Sequence, residues 1–557
     1  MLWHFTDLTR CPDLVGYFSL GQMGRKTGIG RVRLHDPVFY MRINCTGLRV
    51  AGVVLALILL SSLPLVFVSF PPLMDYPFHL ARMFILSHLN HAGVAGEVYE
   101  FNTYMLPNIG IDLIGLLLAK VMSPELTGLT FVVLIFVLLI SGTAFLSYAI
   151  YKKVSLGNLL IASILCYNWI LFLGFLNYLF GIGVLLWYAG LWKMMQNLPA
   201  WKRVILGNLL SITLFFTHLI AFGIFALVLT GLELGRWIDF KKIGVRPLLK
   251  DWFVLPAVFI IPVAIYIGIS PTSGDLGSAL SFQPTTQKFI NFFRTFTGGN
   301  IILDVATGVL VLVAAVVFAR RLKISVDRQF ACAIVVLFLA YICLPVGTSA
   351  GWYLDDRIPL ALSFLVAGSI RFHFFNKRSQ QIFTGIIASL LLIRIAITAM
   401  DWNQYQNVYH PLLNTFRVVE TASILFVVEE KNDSSRYEEY YGMWRPPTRH
   451  MGELAVITGK VFAPSVFAHP ELQPIIMKEK YKYISDFQKN DPIPFTGTSQ
   501  LDSILSEIRE LHAGVAETFP DVYVLILKGQ ELKDHGIQAE NVQVILDRRI
   551  YSLVRLI

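Results

Sequence analysis

The chain has 557 residues, enough for three or four soluble domains, but 55 % are hydrophobic and only 15 % charged, with a mean hydropathy of +0.61. A soluble core needs a charged shell that this composition does not supply, so a soluble multidomain protein is excluded for most of the length. The net charge of +9 is not a nucleic-acid footprint. From Asn403 onward there are 16 Lys+Arg against 20 Asp+Glu, before it 30 against 17, and the earlier excess sits in short loops between apolar runs, where it reports topology.

In chain order, seven Lys+Arg against three Asp+Glu precede Ala51, which places the N-terminus in the cytoplasm. Residues 1–49 form a cytoplasmic N-terminal segment without a cleavable signal. Residues 1–40 lack periodicity and Met41 stands just before the first span, making 1–40 a candidate for a mis-assigned start. Apolar runs such as Val50 to Phe70, Leu129 to Ile150 and Ile301 to Ala319 are long enough to cross about 30 Å of hydrocarbon. The basic loops then fix an orientation satisfied by about eleven spans: 50–70, 128–151, 157–173, 176–193, 204–218, 219–235, 253–270, 301–319, 330–346, 358–372 and 382–400. The expected fold class is thus an α-helical polytopic membrane protein, with a transmembrane region over 50–402 and a first outer loop over 71–127. Leu106 to Met122 is apolar but short and carries Asp112 and Lys120, so it reads as a re-entrant or interfacial helix rather than a twelfth span. The 204–235 stretch has no Gly or Pro at its turn, but as one helix it would rise about 48 Å, well beyond a bilayer.

Residues 403–557 change character. Strand-like runs (Ala455 to Ile457, Val522 to Leu527, Val542 to Leu546) alternate with helical stretches such as Leu501 to His512, which predicts a small extracytoplasmic α/β domain.

Chemistry-bearing residues gather on the outer side. Asp75 stands just before Pro77, a first-turn proline, and His79 and Arg82 follow three apart on one helix face. An acid, an imidazole and a guanidinium directly after a span fit a base with cationic partners for a phosphate, or else charges that an interfacial helix carries anyway. Between the ninth and tenth spans Asp355, Asp356 and Arg357 offer a second cluster: Arg357 to neutralise a phosphate and an Asp to orient it, or a local ion pair at a helix start. Arg394 lies inside the last span, facing a polar cavity or snorkelling outward. His218 falls at an outer turn, as a hydrogen-bonded structural residue or a ligand contact. Lys288 and Arg294 are expected on a solvated face, with an anionic lipid headgroup as the alternative. The five cysteines show no C-x-x-C pattern, and Walker A, G-x-G-x-x-G and H-E-x-x-H motifs are absent. The second outer loop, Asn168 to Asn177, contains no acid. A metal site of several carboxylates would be hard to assemble there, so metal-independent chemistry without a cofactor is expected.

A cytoplasmic N-terminus, a long first outer loop with an acid just after the first span, and an extracytoplasmic C-terminal domain together resemble the glycosyltransferase-C superfamily. Asp75-Tyr76-Pro77-Phe78-His79-Leu80-Ala81-Arg82, Gly174-Phe175-Leu176-Asn177-Tyr178-Leu179-Phe180-Gly181 and Asp356-Arg357 also resemble motifs of an uncharacterised family of bacterial multi-pass proteins. The first resemblance implies an inverting transfer of a sugar from a polyprenyl-phosphate carrier to an envelope glycan, lipid or protein acceptor outside the inner membrane of a bacterium. It assigns Asp75 to the first-loop catalytic acid; His79, Arg82, Asp355, Asp356, Arg357, Arg394 and His218 are the substrate- or phosphate-binding candidates read from the residues themselves. The missing second-loop acid departs from the metal-dependent oligosaccharyl members. A non-enzymatic transporter or assembly factor for envelope polysaccharide is the alternative. It is disfavoured because charges gather at the outer surface and no inverted repeat is visible.

Overall fold

The computed structural model describes residues 45–238, 253–271, 280–297, 300–318, 322–348, 351–431, 447–489, 491–529, 532, 537 and 541–557. Part of the basic 236–250 loop, and the segment 1–40, lie outside them. The chain clusters into two units, Met1–Ala56 and Leu57–Ile557; everything that concerns the candidate site belongs to the second.

Five helices among the described residues are long and apolar enough to cross a membrane: Gly47–Phe67, Pro124–Tyr151, Leu176–Met195, Leu219–Ile238 and Lys377–Val418. Shorter helices, Leu156–Leu165, Val254–Gly268, Arg328–Cys343 and Arg357–Ser369 among them, underlie other expected spans. Gly110–Ala119, within the segment read as re-entrant, has ten residues. At about 1.5 Å per residue it covers half of a bilayer core. The 204–235 stretch divides at His218, which is extended (φ −163, ψ 120) between Ala200–Thr217 and Leu219–Ile238. A distant side chain caps the new start: Asn108 Oδ1 accepts from the Leu219 amide at 2.7 Å. Local residues therefore need no Gly or Pro to turn the chain.

Two features go beyond the sequence reading. The boundary at 403 falls inside one continuous 42-residue helix, Lys377–Val418, about 63 Å long, whose last turns leave the apolar stretch and enter the C-terminal region. Pro411 lies inside this helix without ending it. Second, Lys288 and Arg294 do not form a solvated face. In the helix Thr285–Arg294 the polar Lys288 and Asn291 are buried while Phe289, Ile290 and Phe293 are exposed. A helix at a membrane surface turns its apolar side to lipid, which sends its polar side into the protein.

The C-terminal region holds a six-stranded mixed sheet in the order 542–547, 551–556, 521–527, 423–430, 461–462, with 493–495 also pairing with 423–430. Ser423–Glu430 is buried along its whole length and pairs parallel with Asp521–Leu527, while Tyr551–Leu556 closes antiparallel on the latter. This sheet does not stand alone. Tyr99–Phe101 of the 71–127 loop pairs antiparallel with Ile475–Met477. Ala81, Ile85, Val98 and Tyr99 of that loop share one hydrophobic core with Ile424, Phe426, Phe462 and Ile526. Burial of so much apolar surface fuses loop and C-terminal region into one body, which is what positions the site.

Candidate active site

Asp75 occupies the position before the helix Tyr76–His88, and its side chain makes no capping hydrogen bond there. Its backbone is fixed by the loop after Leu156–Leu165: the amides of Met74 and Asp75 donate to the carbonyls of Phe172 (2.9 Å) and Leu173 (3.2 Å). Gly174 makes this approach possible. Its φ is +80°, and a Cβ would stand 2.6 Å from the Asp75 nitrogen, so both conformation and space require glycine.

The rest of the Gly174–Gly181 motif supports the same centre. The Phe175 ring lies under the Arg357 guanidinium, 4.5 Å from centroid to Cζ. Asn177 Oδ1 accepts from the Ile111 amide (3.1 Å) and its Nδ2 donates to the Asn108 carbonyl, anchoring the Gly110–Ala119 helix. The Tyr178 hydroxyl donates to the Arg357 carbonyl. A Cβ on Gly181 would lie 2.8 Å from that of Ala221 and 3.2 Å from that of His218.

His79 and Arg82 are both engaged. His79 Nε2 donates to the Gly174 carbonyl at 3.2 Å, which leaves Nδ1 to accept from Arg82 Nη2 at 3.1 Å. Burial, with the Arg82 charge beside it, pushes the imidazole down to about 3, so His79 is neutral and acts as a strut. Arg82 Nε donates to Asp112 Oδ1 at 2.5 Å, both side chains buried. The two residues thus relay the position of the Gly174 loop to Gly110–Ala119. Arg394, also buried, spends its Nη2 on the carbonyls of Tyr167 (2.9 Å) and Phe296 (3.0 Å) and on Asp304 (3.3 Å). It braces the loop that carries Gly174, with no bond to Asp75.

Arg357 differs. It opens the helix Arg357–Ser369, and among the described residues no carboxylate lies within ion-pair distance of it and its Nε has no hydrogen-bond partner. Its charge is nevertheless within electrostatic reach of Asp75 and Asp356. His218 joins the same neighbourhood, within reach of Arg357 and His79. Its Nδ1 accepts from the amides of Ile220 (3.2 Å) and Ala221 (3.4 Å), and its ring meets Tyr178 edge-on at 5.4 Å. Asp355 is fully buried, 3.6 Å from Lys288 Nζ, which also donates to the carbonyls of Tyr341 (2.9 Å) and Ile342 (3.1 Å). Burial, reinforced by Asp355 next door, raises Asp356 to about 6 against the pull of Arg294, Asn291 and Arg357. Asp355 and Asp356 therefore belong with Lys288 and Arg294.

Sequence reasoning missed what the C-terminal region adds. His450 Nε2 lies 3.7 Å from Asp75 Oδ1. Glu453, one turn further on, is buried beside Ser465 and within electrostatic reach of Asp75. A His and a Glu three apart in a region of strands and loops carry no signal of their own. Only the shared core with the 71–127 loop brings them here.

Burial, with Asp491 and Asp75 adding to it, raises Glu453 from an ordinary 4.5 to about 8. Between those values the unfolded chain releases the proton while the fold keeps it, so stability falls as pH rises through this window. Glu453→Gln keeps the neutral shape and removes the penalty. It is expected to stabilise the protein by about 3 kcal/mol at pH 7, and by little near pH 4.5. Thermal unfolding of both proteins across pH 5–8 checks this; a melting difference that does not grow with pH would contradict it.

Among the described residues no three His, Cys, Asp or Glu side chains converge as a metal-ion cluster. No protein-family model matches the chain, and no curated protein does. Among solved structures, the chain is similar to ArnT from Cupriavidus metallidurans bound to undecaprenyl phosphate, at 9 % identity and a TM-score of 0.46. It is also similar to the apo state of the same protein, at 10 % identity and a TM-score of 0.48. Both likenesses cover 92 % of this chain and 98 % of the other.

Proposed function

We propose that this protein is a glycosyltransferase of the outer membrane face, taking a sugar from a polyprenyl-phosphate carrier. In this reading the chain crosses the bilayer about eleven times, with a cytoplasmic N-terminus and the C-terminal region outside, in the inner membrane of a bacterium. The observation that carries it is Arg357: a guanidinium stacked on Phe175, without an ion-pair partner among the described residues, within electrostatic reach of Asp75. A cation held this way, at the start of a helix, is a site for an anionic oxygen.

The chemistry follows from the pair. The acceptor hydroxyl oxygen attacks the anomeric carbon and its proton passes to the Asp75 carboxylate. The bond from that carbon to the lipid phosphate breaks, and its electron pair stays on the phosphate oxygen beside Arg357. One base and one in-line displacement invert the anomeric centre. No step needs a metal. His79, Arg82 and Arg394 hold the frame, while His218 and Asp356 flank the phosphate side. The acceptor is an envelope glycan, lipid or protein.

Undecaprenyl phosphate is the probe that tests the phosphate site. Losing charge-assisted hydrogen bonds costs about 1.5–3 kcal/mol, so Arg357→Gln in nanodiscs is expected to bind it about 10- to 150-fold more weakly than the parent protein. Unchanged affinity would remove Arg357 from the site.

A further inference from the structure

The C-terminal region brings an imidazole to Asp75 on a rigid mount. His450 stands at the start of the 3-10 helix Met451–Thr458, and its ring packs on Phe78 with centroids 4.3 Å apart. Phe78 belongs to the helix that Asp75 opens, and Phe467 meets it edge-on at 5.7 Å, so the ring and the carboxylate are fixed in one frame. The segment has no room to draw back: a Cβ on Gly452 would lie 2.6 Å from the Val427 side chain in the central strand. Arg449, next in the chain, is turned to Glu429 (3.2 Å) and Asp491 (3.1 Å) instead. The 3.7 Å between His450 Nε2 and Asp75 Oδ1 is a few tenths of an ångström outside a hydrogen bond and within ion-pair range.

We infer that His450 is a positioning residue for Asp75: its Nε2–H holds one carboxylate oxygen and so sets the direction of the carboxylate. The active centre is then completed by the C-terminal region, and not by the membrane-embedded part alone. This rests on the reading of Asp75 as the base. A base works only when its accepting oxygen is aimed at the proton it takes, and a carboxylate with one oxygen fixed has the other aimed. The groups around Asp75 include, among the described residues, His450 and Glu453 from the C-terminal region, Arg357 from the helix start beyond Asp356, and His79 on its own helix. His450 is the one within ion-pair distance of the carboxylate among these.

A donor to a carboxylate stabilises its ionised form, so removing the donor raises its proton affinity. The test is carbodiimide labelling of Asp75 in the full-length protein in nanodiscs, read by peptide mass spectrometry as a function of pH, because the reagent captures the protonated carboxyl. With His450→Ala the labelling midpoint is expected to move up by about one pH unit, a tenfold gain in proton affinity. His450→Gln, whose amide can donate from nearly the same place, should move it less. Where alanine does not fold, His450→Asn, too short to reach, is read in its place. A purely structural His450 would shift the melting temperature and leave the midpoint alone. A midpoint unmoved in the folded variants overturns the inference. The readout does not depend on sugar transfer, so its failure is distinct from that of the proposed reaction, which Asp75→Asn decides.

Discussion

Replacing Asp112 with alanine is expected to destabilise the fold by about 3–5 kcal/mol, the cost of leaving a buried charge without its partner. Arg82 and Asp112 are both buried and meet at 2.5 Å, and they join the helices Tyr76–His88 and Gly110–Ala119. Burial raises the Asp112 carboxyl in spite of the Arg82 charge beside it, and Asp112 Oδ2 has no hydrogen-bond partner. The pair therefore does not fully offset its own desolvation. Hence Arg82→Met combined with Asp112→Leu should be much less harmful than either charge removed alone. Denaturant or thermal unfolding in lipid nanodiscs, arranged as a double-mutant cycle, measures both claims. A single-variant loss below about 1 kcal/mol, the scale of an exposed pair, or simple additivity in the double variant would contradict them. The relay through His79 to the Gly174 carbonyl also predicts that the damage reaches the loop behind Asp75.

Much of this architecture was written in the sequence because the bilayer forces it to be. Apolar runs and basic loops are demanded by hydrocarbon and by insertion, and helices lie along them. The acid after the first span and the Gly174–Gly181 motif were equally visible, since a proline beside an acid and a spaced set of Gly, Asn and Tyr are unusual in an apolar stretch. Their reasons were not. Gly174 is required by the approach of the Asp75 backbone, and Asn177 by a helix end almost 70 residues earlier in the chain. The turn at His218 was legible only from length, because Asn108 supplies its cap from another loop. Lys288 was misjudged because its helix is amphipathic in the reverse sense, with Phe289 and Phe293 outward. The roles of Arg82 and Arg357 look alike in a sequence; what separates them is that Asp112 meets one and, among the described residues, no carboxylate meets the other. His450 and Glu453 were out of reach altogether, since the core joining loop and sheet is a long-range fact.

The second large effect is on rate. Asp75→Asn is nearly isosteric, and the contacts that fix this residue to Phe172, Leu173 and Gly174 run through its backbone. The fold and the proposed phosphate site at Arg357 should therefore survive the change. What is lost is the ability to take a proton, which in general base catalysis is worth about 10²- to 10⁴-fold. The direct measurement is the rate at which the full-length protein in proteoliposomes moves a labelled sugar from an undecaprenyl-phosphate-linked donor to acceptor, parent against Asp75→Asn. With Asp75 as the base, turnover is expected to fall by about 100-fold or more in the variant while undecaprenyl phosphate still binds. Full turnover in the Asp75→Asn protein would contradict it.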